Sequence, residues 1–324
     1  MRGNEMENSN SIPVPSMPPV LKGRFQDLSP EGRRKIGKIM GARPSKFVTT
    51  ALVNWVIIFA IIYMTVQIDH WAAYLVSIFL IAGRQQIFAF LMHEQAHYLG
   101  SRSKWGDIFA DAVCVWPIGL SVAGYGSIHL SHHQNFGKTD DPSFVRKRNK
   151  DFYFPMPWSR LVVLFLKDLS GLSVLRGLMD KTKAQDLKTK RSTPLPRWAQ
   201  LVYYAIFAAI FTYFGVWKYF LFFWMLPLAT IIQALVRLAD STEHRYTEAN
   251  ARIEDCSPIQ LQSRLESILL PNLNFGYHIY HHLNSGISWS ELPNAHKVFL
   301  EEGLVNEEYI FGSQIQCLKF MQKG

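Results

Sequence analysis

Apolar residues along the chain are concentrated in four long blocks, and this pattern predicts the architecture. The blocks cover residues 47–66, 71–92, 198–216 and 219–238. A helix needs about 20 apolar residues to cross the hydrocarbon core of a bilayer. Very short polar links, residues 67–70 and 217–218, join the blocks in pairs. We therefore predict an all-α polytopic membrane protein with four transmembrane helices in two hairpins.

The polar segments indicate how these helices are oriented. Residues 1–24 are rich in Ser, Pro and Asn, which predicts a disordered arm without a secretory signal peptide. Residues 25–46 are strongly basic, and such flanks are typical of the cytoplasmic side. With four spans, both termini are then cytoplasmic. Residues 47–300 form the predicted membrane domain, and residues 301–324 form a cytoplasmic tail.

Two further apolar segments do not have the pattern of a transmembrane helix. Residues 105–125 are interrupted by Pro117 and Gly119, so we interpret them as interfacial or re-entrant. Residues 152–179 mix apolar residues with Arg160 and Lys167, which is typical of a helix on the membrane surface.

A few polar residues interrupt the predicted spans themselves. Arg84 and Gln86 lie in the second block and Gln233 lies in the fourth. Such residues are costly in lipid, so they are expected to face the protein interior. They are candidates for a substrate channel.

Composition and charge narrow the function classes. The formal net charge is +9, but the basic residues flank membrane segments and no nucleic-acid motif accompanies them. We therefore expect membrane lipids as partners, and no nucleic acid. Cys114, Cys256 and Cys317 are scattered without a CxxC pair, which predicts neither a disulfide framework nor a cysteine metal site.

Histidines supply the strongest chemical signal. Eight of the eleven fall into three clusters with the spacings HxxxH, HxxHH and HxxHH. They are His93 and His97; His129, His132 and His133; and His278, His281 and His282. Positions i, i+3 and i+4 share one face of a helix, so each cluster can direct its imidazoles at one point. This spacing is typical of metal ligands.

Of the remaining histidines, only His244 resembles the clustered ones. It follows the fourth apolar block as His93 follows the second, and it shares a helical face with Gln233, Arg237 and Asp240. We therefore add His244 as a candidate ninth ligand. His70 is expected across the membrane from the clusters, and His296 is expected to be a structural or supporting residue.

The number of histidines favours two metals over one. Residues 93–97 match HExxH, in which two histidines bind zinc and Glu94 would be the base of a hydrolase. A catalytic zinc uses only about three protein ligands, however, and this chain offers eight or nine. Imidazole also suits copper, iron and nickel. Many histidines at the mouth of an apolar bundle favour iron that binds oxygen and attacks an unactivated hydrocarbon.

The three histidine boxes and the two-hairpin pattern resemble the membrane fatty-acid desaturase and hydroxylase superfamily over residues 47–300. The resemblance implies that the eight clustered histidines, completed by His244, hold two irons, with O2 as co-substrate. It also implies that Asp140, Asp141, Arg237 and Glu243 position the ligands. We add Glu94 and Asp240 as further candidates for this role. Tyr280 stands where the family often has an acidic residue.

The leading hypothesis is an oxygen-dependent oxidoreductase that desaturates or hydroxylates the acyl chain of a fatty acid or lipid. The alternatives are a hydroxylase or ketolase of another apolar substrate, a membrane zinc hydrolase using residues 93–97, and a metal carrier. A carrier would place polar ligands along a path at the middle of the membrane, whereas these histidines lie at helix ends.

An oxygen-activating iron pair needs electrons, and the sequence has no flavin, haem or iron–sulfur motif. A separate donor is therefore expected, either a ferredoxin or a cytochrome with its reductase. Arg146, Lys147, Arg148 and Lys150 form a basic run that could attract an acidic donor. The same run could instead set the topology or bind anionic lipid.

Overall fold

The structure is a computed structural model that describes residues 17–179 and 189–323. Across these residues the regular structure is helical, apart from three isolated bridge pairs. Most of the predicted arm, residues 1–16, lies outside the described residues. The rest of that arm is packed, because Met17, Val20 and Leu21 are buried.

The helices follow the apolar blocks but are more finely divided. Their bounds are α1 Pro30–Ile39, α2 Pro44–Ile68, α3 Trp71–Ala96, α4 Lys104–Phe109, α5 Val122–Gln134, α6 Pro142–Lys147, α7 Trp158–Leu169, α8 Leu172–Met179, α9 Arg197–Phe214, α10 Trp217–Phe220, α11 Leu226–Ala229, α12 Ile231–Ser241, α13 Ile253–Cys256, α14 Arg264–Leu269, α15 His278–Leu283, α16 Leu292–Glu301 and α17 Gln314–Met321. A π-helical turn, Leu221–Met225, links α10 to α11.

Three helical stretches in the described chain are long and apolar enough to cross a membrane: α2, α3 and the continuous run Trp217–Ser241. A bent pair, Lys104–Ile118 with Val122–Gln134, adds a fourth if its two halves form one span. The chain is therefore an all-helical membrane protein with three or four candidate spans. Helix α9, at the third predicted span, is not among them. The two-hairpin topology and its cytoplasmic orientation stay predictions.

The first hairpin turns within two residues. Asp69 takes the left-handed conformation, with φ 45°, and ends α2. The His70 side chain then accepts a hydrogen bond from the Ala72 backbone and caps α3. Because His70 caps the start of α3 and the first histidine box lies at its end, His70 and that box lie at opposite ends of one helix.

The bent pair turns by 93° between its two helices. Gly119, with φ 80°, provides the turn, and Asp111 accepts a hydrogen bond of 2.8 Å from the Val122 backbone at the start of α5. Trp55 and Trp224 donate their indole N–H groups to backbone carbonyls of this segment. The sharp bend is the geometry expected of a re-entrant segment or a broken span.

Residues 152–179 contain two short helices, where one was predicted. Gly171, with φ 77°, separates α7 from α8. Helix α7 buries Leu161 and Leu164 and exposes Val162 and Leu166. This exposed apolar side is what a helix on a membrane surface would place in the lipid.

The helix of the third histidine box packs in a hydrophobic core of its own. This core is separate from the hydrophobic core of the spans. Ile36 of α1, Tyr280 of α15 and Phe299 of α16 are buried together. Residues 301–323 are also folded, since Cys317 and Met321 of α17 are fully buried in a third cluster with α7 and α12. The predicted tail is thus packed against the rest of the chain. We call the part formed by α1, α15, α16 and α17 the cap.

Candidate metal centre

The first histidine box ends α3. His93 lies in the last turn of the helix and His97 follows its final residue. Between them, Gln95 points the other way and is fully buried. Its amide donates to Asp107 at 2.6 Å and accepts from the Ser101 backbone at 2.9 Å. The first box therefore presents two imidazoles on one side of the helix end. On the other side, Gln95 bonds it to Ser101 and Asp107.

Arg191 strengthens this anchor from a distant part of the chain. Its guanidinium forms a buried bidentate pair with Asp107, at 2.7 and 3.1 Å. It also donates to the Gln95 and Ala96 backbone carbonyls at 3.0 and 3.2 Å, which satisfies acceptors at the end of α3. Sequence reasoning missed Gln95, Asp107 and Arg191, because only the fold brings them together.

The second box lies on α5. His129 and His133, one turn apart, place their Nε2 atoms 3.0 Å from each other. His132, between them in the sequence, donates its Nδ1–H to the Asp141 carboxylate at 2.8 Å. Asp141 also accepts from the backbones of Gly137 and Ser143. Its carboxylate therefore holds the His132 ring with Nε2 facing the other histidines, as carboxylates commonly do behind metal ligands.

The third box lies on α15, directly after a point of very close chain contact. A Cβ atom at Gly276 would lie 1.7 Å from the Gln260 carbonyl oxygen, so only glycine fits there. His278 and His282 place their Nε2 atoms 2.9 Å apart. Tyr280 points to the opposite side and donates to or accepts from His296 at 2.8 Å. Thus His296 supports α15 and lies outside the cluster, as expected.

The three boxes and His244 converge. Five histidines place one nitrogen each within 4.8 Å of the others: His93, His97, His129, His133 and His281. We call this set the first group. His132, His244 and His282 form a second set with the same spacing, and Glu243, His244 and His278 form a third. The last two sets share His244, and together they are called the second group.

The two groups adjoin each other. The rings of His133, from the first group, and His282, from the second, are stacked with centroids 4.1 Å apart. His244 is held by Ser257, whose hydroxyl lies 2.6 Å from Nδ1. Sequence reasoning found His244 from its place after a span, but it gave no sign of Ser257.

Several imidazole nitrogens are buried and lack a hydrogen-bond partner among the described residues. They are His93 Nδ1 and Nε2, His97 Nε2, His244 Nε2, His278 Nδ1 and His281 Nε2. Unpaired buried polar atoms are costly, and a cation would satisfy them. The 2.9 and 3.0 Å Nε2 pairs also match neighbouring ligands at right angles on a metal with bonds of about 2.1 Å. The residues therefore fit metal ions.

The electrostatics favour the form of imidazole that binds metal. Burial lowers the pKa of His244, His281 and His282 well below 6.5, and neighbouring imidazoles lower it further for each. At neutral pH these rings are uncharged, with a lone pair free for a ligand bond.

The predicted positioning residues have varied surroundings. Glu94 is buried and accepts hydrogen bonds from Ser288 and the Trp289 backbone, at 2.9 and 3.0 Å. Asp140 is exposed to solvent. Arg237 pairs with Asp168 of α7, and Asp240 pairs with Arg146 and Lys147 of α6. Of the predicted acidic residues, only Asp141 and Glu243 contact a clustered histidine.

The candidate channel residues lie along the spans. Gln86 is buried, and its Oε1 lacks a partner among the described residues. Gln233 donates to the Leu228 carbonyl of its own helix run at 2.9 Å. Arg84 is half-buried, and its backbone oxygen accepts a hydrogen bond of 2.9 Å from the Asn54 side chain. A channel through these residues stays a prediction.

One pocket of about 380 Å³ reaches the histidines from the protein surface. His133 and His282, one from each group, line it together with Phe136. Arg24 and Arg252 stand at its sides, paired with Glu254 and Asp255. Both groups are therefore reachable through one opening.

An all-helical membrane protein with two adjoining histidine groups at the ends of its spans defines a class of membrane metalloprotein. A family model described as "Fatty acid desaturase" matches residues 69–310, about three quarters of the chain. The chain belongs to the fatty acid desaturase family, which implies an oxidoreductase that acts on acyl chains. None of the curated proteins compared with the chain matches it.

Proposed function

We propose that this protein is an oxygen-dependent oxidoreductase that uses two bound irons to desaturate or hydroxylate the acyl chain of a fatty acid or lipid. The observation that carries the proposal is the convergence of nine histidines in two adjoining groups. A single catalytic metal uses about three protein ligands, so this number suits two ions. Family membership supports the acyl substrate.

When bound, the iron pair would supply the oxygen chemistry that removes hydrogen from an unactivated carbon, which side chains alone cannot do. The protein's own contribution is positioning. Asp141 and Ser257 each occupy the Nδ1 atom of one histidine, His132 and His244, and so leave Nε2 for the metal. The anchor of Gln95 and Arg191 holds the first box on α3.

The geometry of Glu94 argues against the hydrolase alternative. The base of an HExxH hydrolase must face the metal, but the Glu94 carboxylate is held by Ser288 and the Trp289 backbone. We therefore expect Glu94→Gln to retain more activity than His93→Ala. An equal loss of activity in the two variants would favour the hydrolase.

Electrons would come from a separate ferredoxin or cytochrome. The basic run offers a smaller docking surface than its sequence implies, because Lys147 is buried against Asp240 and Arg146 also contacts Asp240. Arg148 and Lys150 remain exposed. If they attract the donor, reversing both charges should raise the donor concentration needed for half-maximal turnover, most strongly at low salt. If this donor concentration depends on salt as it does in the unaltered protein, Arg148 and Lys150 do not bind the donor.

Analysis of the acyl chains of an expressing cell tests the proposed activity. Cells that make the unaltered protein should accumulate a new unsaturated or hydroxylated chain, but only when oxygen is supplied. His281→Ala should abolish this product because it removes a nitrogen from the first group. His70→Ala is the matched control, since His70 lies at the other end of α3, and it should retain the product. A product that persists in His281→Ala would overturn the proposal.

A further inference from the structure

Among the residues that the structure describes, Glu243 is the one carboxylate that faces the ligand side of the histidine groups. It immediately precedes His244, and its Oε1 atom lies 2.8 Å from Nε2 of His278. The same His278 nitrogen lies 2.9 Å from Nε2 of His282. Glu243, from the segment after α12, and His282, from α15, therefore both place a potential ligand atom beside the same His278 nitrogen.

A single proton cannot satisfy this arrangement. If His278 carried its proton on Nε2, it could donate to His282 or to Glu243, but not in line to both. Of the two contacts, only the one to His282 is a hydrogen bond by geometry. Lone pairs that converge from two imidazoles and a carboxylate are instead satisfied by a cation. Their separations of 2.8 and 2.9 Å match neighbouring ligands at right angles on bonds of about 2.0–2.1 Å.

The second group is also the one that lacks a fifth donor. The first group has five imidazoles, whereas the second has four, from His132, His244, His278 and His282. Asp141 cannot be the missing ligand, because it contacts Nδ1 of His132, the atom that faces away from the other histidines. Glu243 supplies an oxygen on the ligand side.

We propose that Glu243 is a direct ligand of the second metal and gives it four nitrogens and one oxygen, against five nitrogens for the first. This inference rests on the proposed two-iron function and concerns its coordination. Among the described residues, the carboxylates that contact clustered histidines, Asp141 and Glu243, are both on the second group. The two irons should therefore be chemically inequivalent.

The test compares Glu243→Gln with the unaltered protein after both are loaded with iron. Glutamine keeps the length of the side chain and its terminal oxygen, but a neutral amide is a poor ligand for iron. We expect the variant to bind one iron normally and the second more weakly, by more than the roughly 10–100-fold that loss of a supporting hydrogen bond costs. Mössbauer spectra should show two iron signals in the unaltered protein and one of these in the variant.

Glu243→Asp and Glu248→Gln complete the experiment. The aspartate keeps a carboxylate on a shorter side chain, so it should weaken the second iron less than glutamine does. Glu248 is exposed and lies four residues beyond His244, so its substitution should leave both irons in place. Two irons with unchanged spectra in Glu243→Gln, or loss of both irons in Glu243→Gln and Glu243→Asp alike, would overturn the inference. Failure of the unaltered protein to bind two irons would instead overturn the proposed function.

Discussion

At the scale of single residues, the clustered histidines depend on the groups behind them. Asp141 fixes His132, Ser257 fixes His244, and Tyr280 ties the third box to His296. Each partner is buried and comes from another segment of the chain. The geometry of the candidate centre is thus set by contacts that no single motif contains.

The pair of Arg191 and Asp107 gives the first prediction. Both side chains are buried, so Arg191→Ala leaves Asp107 as an uncompensated charge and frees the end of α3. Breaking such a pair costs about 3–5 kcal/mol. We expect a clearly lower melting temperature in detergent and faster loss of bound iron. Arg252→Ala is the control, because its pair with Asp255 is exposed and contributes little to stability. Equal changes in melting temperature and iron loss for the two substitutions would contradict the stabilising role of Arg191.

Buried neutral histidines give a prediction about pH. Burial lowers the pKa of His296 to about 4, and it lowers that of His281 and His282 well below 6.5. Below pH 6.5 the unfolded chain therefore binds more protons than the folded one, so stability falls as the pH drops. The metal-free protein should be less stable at pH 5.5 than at pH 7.5 in a denaturation experiment. Equal stability at both values would mean that these rings are accessible to protons in the folded state.

These residues also show what the sequence could and could not predict. The histidine boxes were visible because ligands three and four residues apart share a helical face, and His244 was visible from its place after a span. Gln95, Arg191, Ser257 and Ser288 carry no such periodicity. Their roles arise from contacts across many residues, such as Arg191 with Ala96, which only the fold reveals.

At the scale of the helices, the hairpin of α2 and α3 agrees with the apolar pattern, and its bounds lie within a few residues of the prediction. The later part is more complex. The run Trp217–Ser241 contains a π-helical turn, and the segment before the second box bends by 93°. Pro117 and Gly119 indicated the bend, and Trp55 and Trp224 donate hydrogen bonds to the bent segment. The π-helical turn lies within an apolar block, where hydropathy gave no sign of it.

The predicted topology can be tested with introduced cysteines, because all three native cysteines are buried. Lys218 and Lys319 are exposed, and the two-hairpin arrangement places them on opposite sides of the membrane. In intact cells, a membrane-impermeant thiol reagent should label Lys218→Cys. It should label Lys319→Cys only after the membrane is opened. Labelling of both variants from the same side would exclude four spans with cytoplasmic termini.

At the scale of the whole molecule, the spans and the cap meet at the histidines. The first box lies at the end of the span α3, the second lies on α5 of the bent pair, and the third lies on α15 of the cap. Residues far apart in the chain therefore form one centre, which a pocket connects to the surface.

The number and identity of bound metals test this account most directly. The full chain should be purified from cells grown with iron and zinc both present, and each metal should be measured per chain. We predict close to two irons, and close to one or fewer in His132→Ala and His281→Ala, with His70→Ala unchanged. A single zinc per chain, retained in His132→Ala, would contradict the two-iron centre.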